Sequence, residues 1–432
     1  MLDGTHIMSE EGVTQGDNLA MAMYAVSTKT LNSQLADERI TQIWYADDSS
    51  AAGKLEDLKK WWEKLKAEGP KHGYFPKPTK TYLIVKNPEQ VNNARRLFDN
   101  DGVNITTEGH KHIGAALGSQ AFKEEYVKTK VDCWVKDINN LAEIAEEEPQ
   151  AALSAFNVGL SKRWTFLQRT VQDTNEMFQP VENAIRESLI PAICGRKVSD
   201  IERRMLSLPY RYGGLGIRNP VKTADREYTT SSSVTELLTN LICQQITDIT
   251  QLDSNKVKER KQELSTEKEI EIKNEFETIS QMVDEKTKKL LLCAQEKGAS
   301  SWLSALPIKK LGYSLNKREF RDAVSLRYGW PIPDTPAFCG CGGNNSIDHI
   351  LTCKRGGYVS MRHNALRNIE GELMGNVCKD VKIEPPLIPT QNETAGSNAE
   401  GARLDISAIG LWSDYERTFF DVESPTQLLN HI

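Results

Sequence analysis

The chain has 432 residues, 54 Lys and Arg against 60 Asp and Glu, and a formal net charge of −6. With 39% hydrophobic and 26% charged residues it has the balance of a globular protein, which excludes collagen-like, fully disordered and disulfide-scaffold classes. The length predicts about three domains, and no run approaches the ~18 consecutive apolar residues of a membrane span.

The start, Met1-Leu2-Asp3-Gly4-Thr5-His6, lacks a basic segment followed by an apolar run and is not expected to be a signal peptide. Glu11 to Ala20 places a Gln15-Gly16 pair before a helix carrying Leu19, Met21, Met23 and Tyr24. Glycine there lets the backbone approach a ligand closely. Ile40 to Ala46 is rich in β-branched and aromatic residues and runs into Asp47-Asp48-Ser49-Ser50, which predicts a strand ending in a tight turn. Two adjacent carboxylates repel each other, and a divalent cation is their natural partner. The bland reading of the same pair is a solvated turn.

Leu55, Leu58, Trp61, Trp62 and Leu65 have helical spacing, and Gly69-Pro70 is expected to end that helix. Lys80 precedes a short strand over Thr81 to Val85. Val103 to Thr106 and His112-Ile113-Gly114 read as another strand pair. Helices alternating with strands predict an α/β character for residues 1–122. Residues 123–295 read as helical, interrupted by a loop at Gly213-Gly214-Leu215-Gly216-Ile217. Asn255 to Lys289 mixes Lys and Glu with few apolar residues, as in a long solvated helix or spacer. Residues 296–335 are read as a linker region. Trp164, Trp302 and Trp330 are expected in the core rather than as base-stacking platforms.

Of eight cysteines, Cys339, Cys341 and Cys353 fall within fifteen residues, with His349 between them. Such clustering suggests a reducing compartment and one metal site rather than a disulfide framework. Four soft or borderline ligands without a spare position suit a closed tetrahedral zinc site, with Gly340, Gly342 and Gly343 letting the chain wrap the ion. Cys-x-Cys is tighter than the common Cys-x2-Cys, and free thiols in a turn are the alternative. His363 is a spare candidate ligand or the opening of the next helix. Beyond the cluster come a helix over Met361 to Val377 with Glu370 and Glu372, then strands containing Asp380, Asp405 and Asp421.

The order of these motifs resembles the polyprotein of non-LTR retrotransposons. Gln-Gly-Asp before a helix, Tyr45-Ala46-Asp47-Asp48 on a hairpin and Gly73-x6-Lys80 before a strand resemble three successive palm motifs of reverse transcriptases. The resemblance implies Asp47 as a ligand of catalytic magnesium assisted by Asp48. It implies Gln15 and Gly16, with Tyr45 and Ala46, against template and nucleotide, and Lys80 as the acid that protonates pyrophosphate. His112-Ile113-Gly114 resembles the primer-grip turn, and residues 123–295 would be thumb and connector. The segment 336–358 resembles a CCHC zinc knuckle. Residues 359–432 resemble a restriction-like PD-(D/E)xK nuclease core, with Asp405 and Asp421 as magnesium ligands and Glu372, or else Glu370, as a helix-borne acid. The expected fold is therefore α+β multidomain: a partial palm, helical thumb, zinc knuckle and partial α/β nuclease core.

Two departures accompany the resemblance. The earlier palm strand with its Asp should precede Gln15 by tens of residues, and Asp3 is too close. This predicts a fragment that does not polymerise DNA by itself. Glu423 stands where the nuclease lysine is often found. The implied function is RNA-directed DNA polymerisation with an endonuclease, using magnesium and zinc. Its partners would be an RNA template, a DNA primer or target and deoxynucleoside triphosphates, with no membrane and a nuclear location. A non-catalytic nucleic-acid-binding protein derived from such an element is the alternative. A nuclease with a passive N-terminal relic is a third reading. The acidic pI of about 5.8 weighs against nucleic-acid binding, although a local groove can still be basic.

Overall fold

The computed structural model describes residues 17–246, 254–386 and 403–422. These form a mixed α+β, mostly helical chain with small sheets, divided into two compact units at 324/325. Gln15, Gly16, Asp3 and Glu423 lie outside the described residues. Among the described residues, no helix is long and apolar enough to cross a membrane.

The first unit begins with α1 (Ala20–Leu35), the hairpin β1 (Thr41–Tyr45) and β2 (Asp48–Ala52), and α2 (Leu55–Glu68). A short 3-10 turn at Gly69–His72 carries the chain on past the expected stop. Then come β3 (Tyr82–Ile84), α3 (Val91–Phe98), β4 (Asn104–Thr106), β5 (Gly109–His112) and β6 (Ala115–Gly118). The apolar stripe predicted on α2 meets Leu31, Leu35, Ile40 and Phe98, so Trp61, Trp62 and Leu65 are buried. Removing one such side chain from water contributes about 1.5–3 kcal/mol, which is why amphipathic spacing decides the face.

One expected pairing is corrected. Val103 to Thr106 does not pair with His112-Ile113-Gly114. Instead β4 pairs parallel with β3, and β5 forms an antiparallel hairpin with β6. Ile113 and Gly114 are the turn of that hairpin, both at positive φ (46° and 82°). Two central residues at positive φ make a type I′ turn, whose twist matches a two-residue hairpin. A local turn thus outcompetes a longer-range pairing.

Asp101 is the buried charge of this region, with its side chain 3% exposed between Lys59 and Lys66. Burial pushes its carboxyl up, but hydrogen bonds from both lysines prevail and hold it below the ordinary range. Asp101→Ala is expected to lower stability by about 2 kcal/mol at pH 7, because two ammonium groups lose their shared partner. A lowered carboxyl stabilises above its unfolded pKa of about 3.9 and ceases to do so as pH falls through the folded value. Urea unfolding followed by tryptophan fluorescence should show the gap between wild type and variant closing in acid. An equal gap at pH 7 and pH 3 would contradict this account.

The helical part consists of α4 (Gln120–Ala145), α5 (Pro149–Ala155), α6 (Ser161–Thr170), α7 (Gln179–Ala184), α8 (Ile190–Cys194), α9 (Asp200–Ser207), α10 (Pro220–Cys243), α11 (Ser254–Met282), α12 (Glu285–Cys293), α13 (Ser301–Ser304) and the start of α14 (Lys317–Tyr328). Two π-turns, Phe156–Leu160 and Ile185–Leu189, join α5 to α6 and α7 to α8. Ile138, Phe156, Phe178, Ile185, Leu189 and Leu206 form the dry centre, all fully buried. Trp134 packs edge-on to Trp164 and parallel to Phe178. Trp164 is therefore core, as is Trp330 in the second unit, 6% exposed.

The Lys/Glu-rich segment is helical, but it is not a free spacer. Its Phe276 and Ile279 are buried, and Arg204 of α9 makes a bidentate pair with Glu275 at 2.9 Å. Asp284 caps α12 and breaks the run. Residues 296–335 are likewise structured, with Phe320 and Val324 fully buried.

The second unit holds the rest of α14, α15 (Ile347–Thr352), α16 (Tyr358–Gly375) and an antiparallel sheet in the order β7 (Lys379–Ile383), β8 (Ile406–Ile409), β9 (Arg417–Phe420). Ile406, Ser407 and Ala408 in the central strand are fully buried.

Candidate functional site

Three groups of side chains carry chemistry. The first is the tip of the β1–β2 hairpin. Tyr45 pairs with Asp48, leaving Ala46 and Asp47 as a two-residue turn. Ala46 sits at φ 52°, a conformation uncommon outside glycine and one that recurs at functional sites. Asp47 and Asp48 are both exposed. Tyr74 fixes the turn, donating to the Asp47 carbonyl at 3.0 Å while its hydroxyl also meets Ser49 Oγ at 2.8 Å. Burial, and then the charges of Asp47 and Asp48, push the Tyr74 hydroxyl up, so it stays a donor. Ser50 Oγ lies 3.1 Å from His112 Nε2, which ties the second hairpin to the first. Lys80, in a 3-10 turn before β3, is exposed, and no hydrogen bond or ion pair joins it to Asp47 or Asp48. Among the described residues no third carboxylate completes a metal-ligating group with Asp47 and Asp48.

The second group is the cysteine cluster. One ligand atom each of Cys339, Cys341, His349 and Cys353 lies within 4.8 Å of all the others. The sequence closes this loop locally. Cys339 N donates to Gly343 O at 2.9 Å and Gly342 N to Cys339 O at 2.8 Å, with Gly342 at φ 92°. A Cβ on Gly343 would stand 3.1 Å from His349 Cε1, so the glycine leaves room for the ring. Ser346 caps α15 by accepting from the His349 N–H at 3.1 Å, which sets the imidazole at the start of that helix. Cys339 Sγ and Cys353 Sγ are 3.7 Å apart, and Cys341 Sγ is 3.2 Å from His349 Nε2. Tetrahedral thiolates at a zinc–sulfur distance of about 2.3 Å stand about 3.7–3.8 Å apart. The Cys341 N–H, and next His349, hold the Cys339 thiol down at about 6. The group could hold a metal ion, and its donors suit zinc.

The third group joins α16 to the three-stranded sheet. Ile406 pairs with Phe420, so Asp405 and Asp421 stand opposite one another at the strand ends. Asp405 Oδ2 accepts from Val422 N at 2.7 Å and lies 3.2 Å from His363 Nε2. Burial raises the Asp405 carboxyl, but the Val422 N–H, Asp421 and His363 outweigh it and keep it below the ordinary range. His363 thus faces the carboxylates rather than the cysteines. Its signal in the sequence was Arg362-His363-Asn364, which by itself gives no direction. Glu372 is not brought to this group. It lies nine residues beyond His363 on α16, about 180° around the helix, and is exposed. Glu370 is exposed too. Asp380 is engaged by Arg417 and Lys382, and Glu384 by Arg367 and Arg403. The sequence reading did not single out Tyr74, and it offered His363 only as a spare metal ligand or the opening of a helix, not as a partner of Asp405. No protein-family model matches the chain, and no curated protein matches it.

Proposed function

We propose that this chain acts on nucleic acid as part of a reverse transcriptase of the non-LTR retrotransposon type, with a zinc knuckle and a nuclease-like end. The observation that carries the reading is the Tyr45–Asp48 hairpin tip. Two exposed carboxylates stand on a turn at positive φ, braced from behind by Tyr74 and tied through Ser50 to the His112 hairpin. Asp47 and Asp48 supply hard oxygen donors suited to magnesium. The bound ion would neutralise phosphate charge during nucleotidyl transfer. The chain's own residues hold the tip rigid and leave Tyr45, 61% exposed, facing solvent beside it. Lys80 is the proposed proton donor to pyrophosphate. Zinc in the Cys339, Cys341, His349, Cys353 group would fold the knuckle. Asp405 and Asp421 are proposed magnesium ligands of the nuclease, with His363 beside them in place of Glu372. RNA template, DNA primer or target and deoxynucleoside triphosphates are the proposed partners, in the nucleus.

With no third carboxylate beside Asp47 and Asp48 among the described residues, the chain alone is expected not to extend a primer. The test is magnesium-dependent primer extension on an RNA template. It compares the chain alone with a form joined to a polymerase segment that supplies the fingers and an Asp-bearing palm strand. Extension only by the joined form, lost by at least about 100-fold in Asp47→Ala, supports the polymerase reading. Nucleic-acid binding with no extension by either form favours the non-catalytic binding protein. Robust extension by the chain alone overturns the incomplete site.

A further inference from the structure

The helical part of the first unit contains a cavity that the reading above does not use. It has a volume of about 500 Å3 and is walled by α6, the π-turn before it, the loop at 209–218 and Leu303 to Leu306. Sites for small ligands typically span about 300–1,000 Å3. The glycine run singled out in the sequence builds one wall. Gly213 and Gly216 sit at φ 83° and 69°, and a Cβ on Gly214 would fall 1.9 Å from Leu208 O. The chain leaves this tight loop at Arg218, which lines the cavity with Lys162.

Charge around the cavity is unbalanced. Glu227 in its wall is paired with Arg169 at 2.8 Å, Arg226 with Glu271 at 2.8 Å, and Arg211 with Glu269. Those pairs satisfy each other. Lys162 of α6, Arg218 of the loop and Lys268 of α11 have no side-chain hydrogen bond or ion pair among the described residues. They also feel one another. Burial and then Arg218 push Lys162 down, and burial followed by Arg218 and Arg226 does the same to Lys268. The Glu227 carboxylate offsets all three cations, but it is shared with Arg169, so positive charge from three separate elements is left in excess and an anion entering the cavity would relieve their mutual repulsion.

An independent polar group points to the rest of the ligand. Asn157 lies in the π-turn Phe156–Leu160 and lines the cavity. Its Nδ2 donates to Leu215 O at 2.8 Å and to Tyr210 Oη at 2.7 Å. A carbonyl accepts only from the NH2 side, so the amide orientation is settled. That leaves Asn157 Oδ1 buried with no partner. A buried acceptor left unpaired costs about 1–3 kcal/mol, and π-turns are frequent at functional sites.

We propose that this cavity binds a nucleotide, its phosphate held by Lys162 and Arg218, with Lys268 adding positive charge near Arg218, and a hydroxyl or amino group donated to Asn157 Oδ1. Trp164 and Tyr210 give the lining its aromatic surface. A free nucleotide and a nucleotide unit of a nucleic-acid strand share this chemistry.

Titration calorimetry with adenosine 5′-monophosphate and with a single-stranded oligoribonucleotide tests the proposal. Wild type should bind. Arg218→Gln and Lys162→Gln should each weaken binding about tenfold or more, the loss of one charge-assisted contact. Lys297→Gln, an exposed cation that does not line the cavity, should leave binding unchanged. Both cavity variants remove mutual repulsion, so their melting temperatures without ligand should equal or exceed that of wild type. This separates ligand loss from misfolding. Displacement of the mononucleotide by the oligoribonucleotide identifies a strand as the source. Mononucleotide binding without such competition identifies a free nucleotide. No binding by wild type, or undiminished binding by a Lys162→Gln/Arg218→Gln double variant, overturns the proposal. The readout is independent of primer extension at the Tyr45–Asp48 hairpin.

Discussion

Replacing any one of Cys339, Cys341, His349 or Cys353 by Ala is expected to abolish stoichiometric zinc binding and to unfold the segment around α15. Few tertiary contacts replace the ion there. Cys341 is exposed, α15 contains no buried residue, and the loop is held by short-range hydrogen bonds and the Ser346 cap. In small zinc modules the metal contributes about 10–16 kcal/mol of apparent binding free energy, most of which is folding free energy. Metal analysis of the purified chain should give one zinc per chain, falling to none in the variants and after chelation. Cys378→Ala is the control, because Cys378 is outside the ligand group. Acid should act in the same direction. The Cys339 thiol is held down at about 6, against an unfolded value of about 8.5. A lowered acid stabilises the folded loop fully above its unfolded value, and that contribution disappears as pH falls through about 6. Zinc competes with the same protons, so release should begin on that acid side. Full zinc occupancy in a Cys353→Ala variant would refute the assignment.

Arg203→Ala should destabilise the helical part of the first unit by about 3–5 kcal/mol, the cost of stranding a buried charge. Arg203 and Glu182 are 5% and 7% exposed. Arg203 Nε and Nη2 donate to the two Glu182 oxygens at 2.8 and 2.7 Å, and Nη1 donates to Ile217 O at 2.7 Å. One guanidinium thus joins α7 to α9 and pins the end of the glycine run. Removing it leaves the Glu182 carboxylate and the Ile217 carbonyl inside without a donor. A paired replacement, Arg203→Met with Glu182→Leu, removes both charges and should recover most of the loss, since buried ion pairs exchange for apolar contacts at little net cost. The pair's shape also positions Arg218, one residue beyond Ile217. Arg203→Ala should therefore weaken nucleotide binding at the cavity as well as lower stability. Denaturant unfolding of the two variants distinguishes these terms. A single variant within 1 kcal/mol of wild type would show that the pair is not structurally required.

Much of the fold was legible in local pattern. The α2 stripe, the hairpin before Ser49 and the helical run after 122 follow from spacing and turn residues, because such elements close through neighbours a few residues apart. The cysteine cluster was legible for the same reason, since all four ligands and their glycines lie within fifteen residues. The failures share another cause. Whether 103–106 joins 112–114 or the strand at 82–84 depends on competition between a hairpin turn and a parallel pairing, which local propensity does not rank. Glu372 was chosen by residue type, whereas the α16 side chain that meets Asp405 is His363, because helix phase decides which side chain faces a strand.

By itself, then, the sequence determined the elements, their apolar faces and the Cys and His group that could hold a metal ion, all of which are encoded at separations of a few residues. The tertiary structure alone decided which distant charges meet. It set His363 beside Asp405, Arg203 against Glu182, and Lys162 and Arg218 on the wall of one cavity. Those meetings depend on how helices far apart in the chain pack. Packing is selected by buried apolar area and shape, and the charges are carried into place with it.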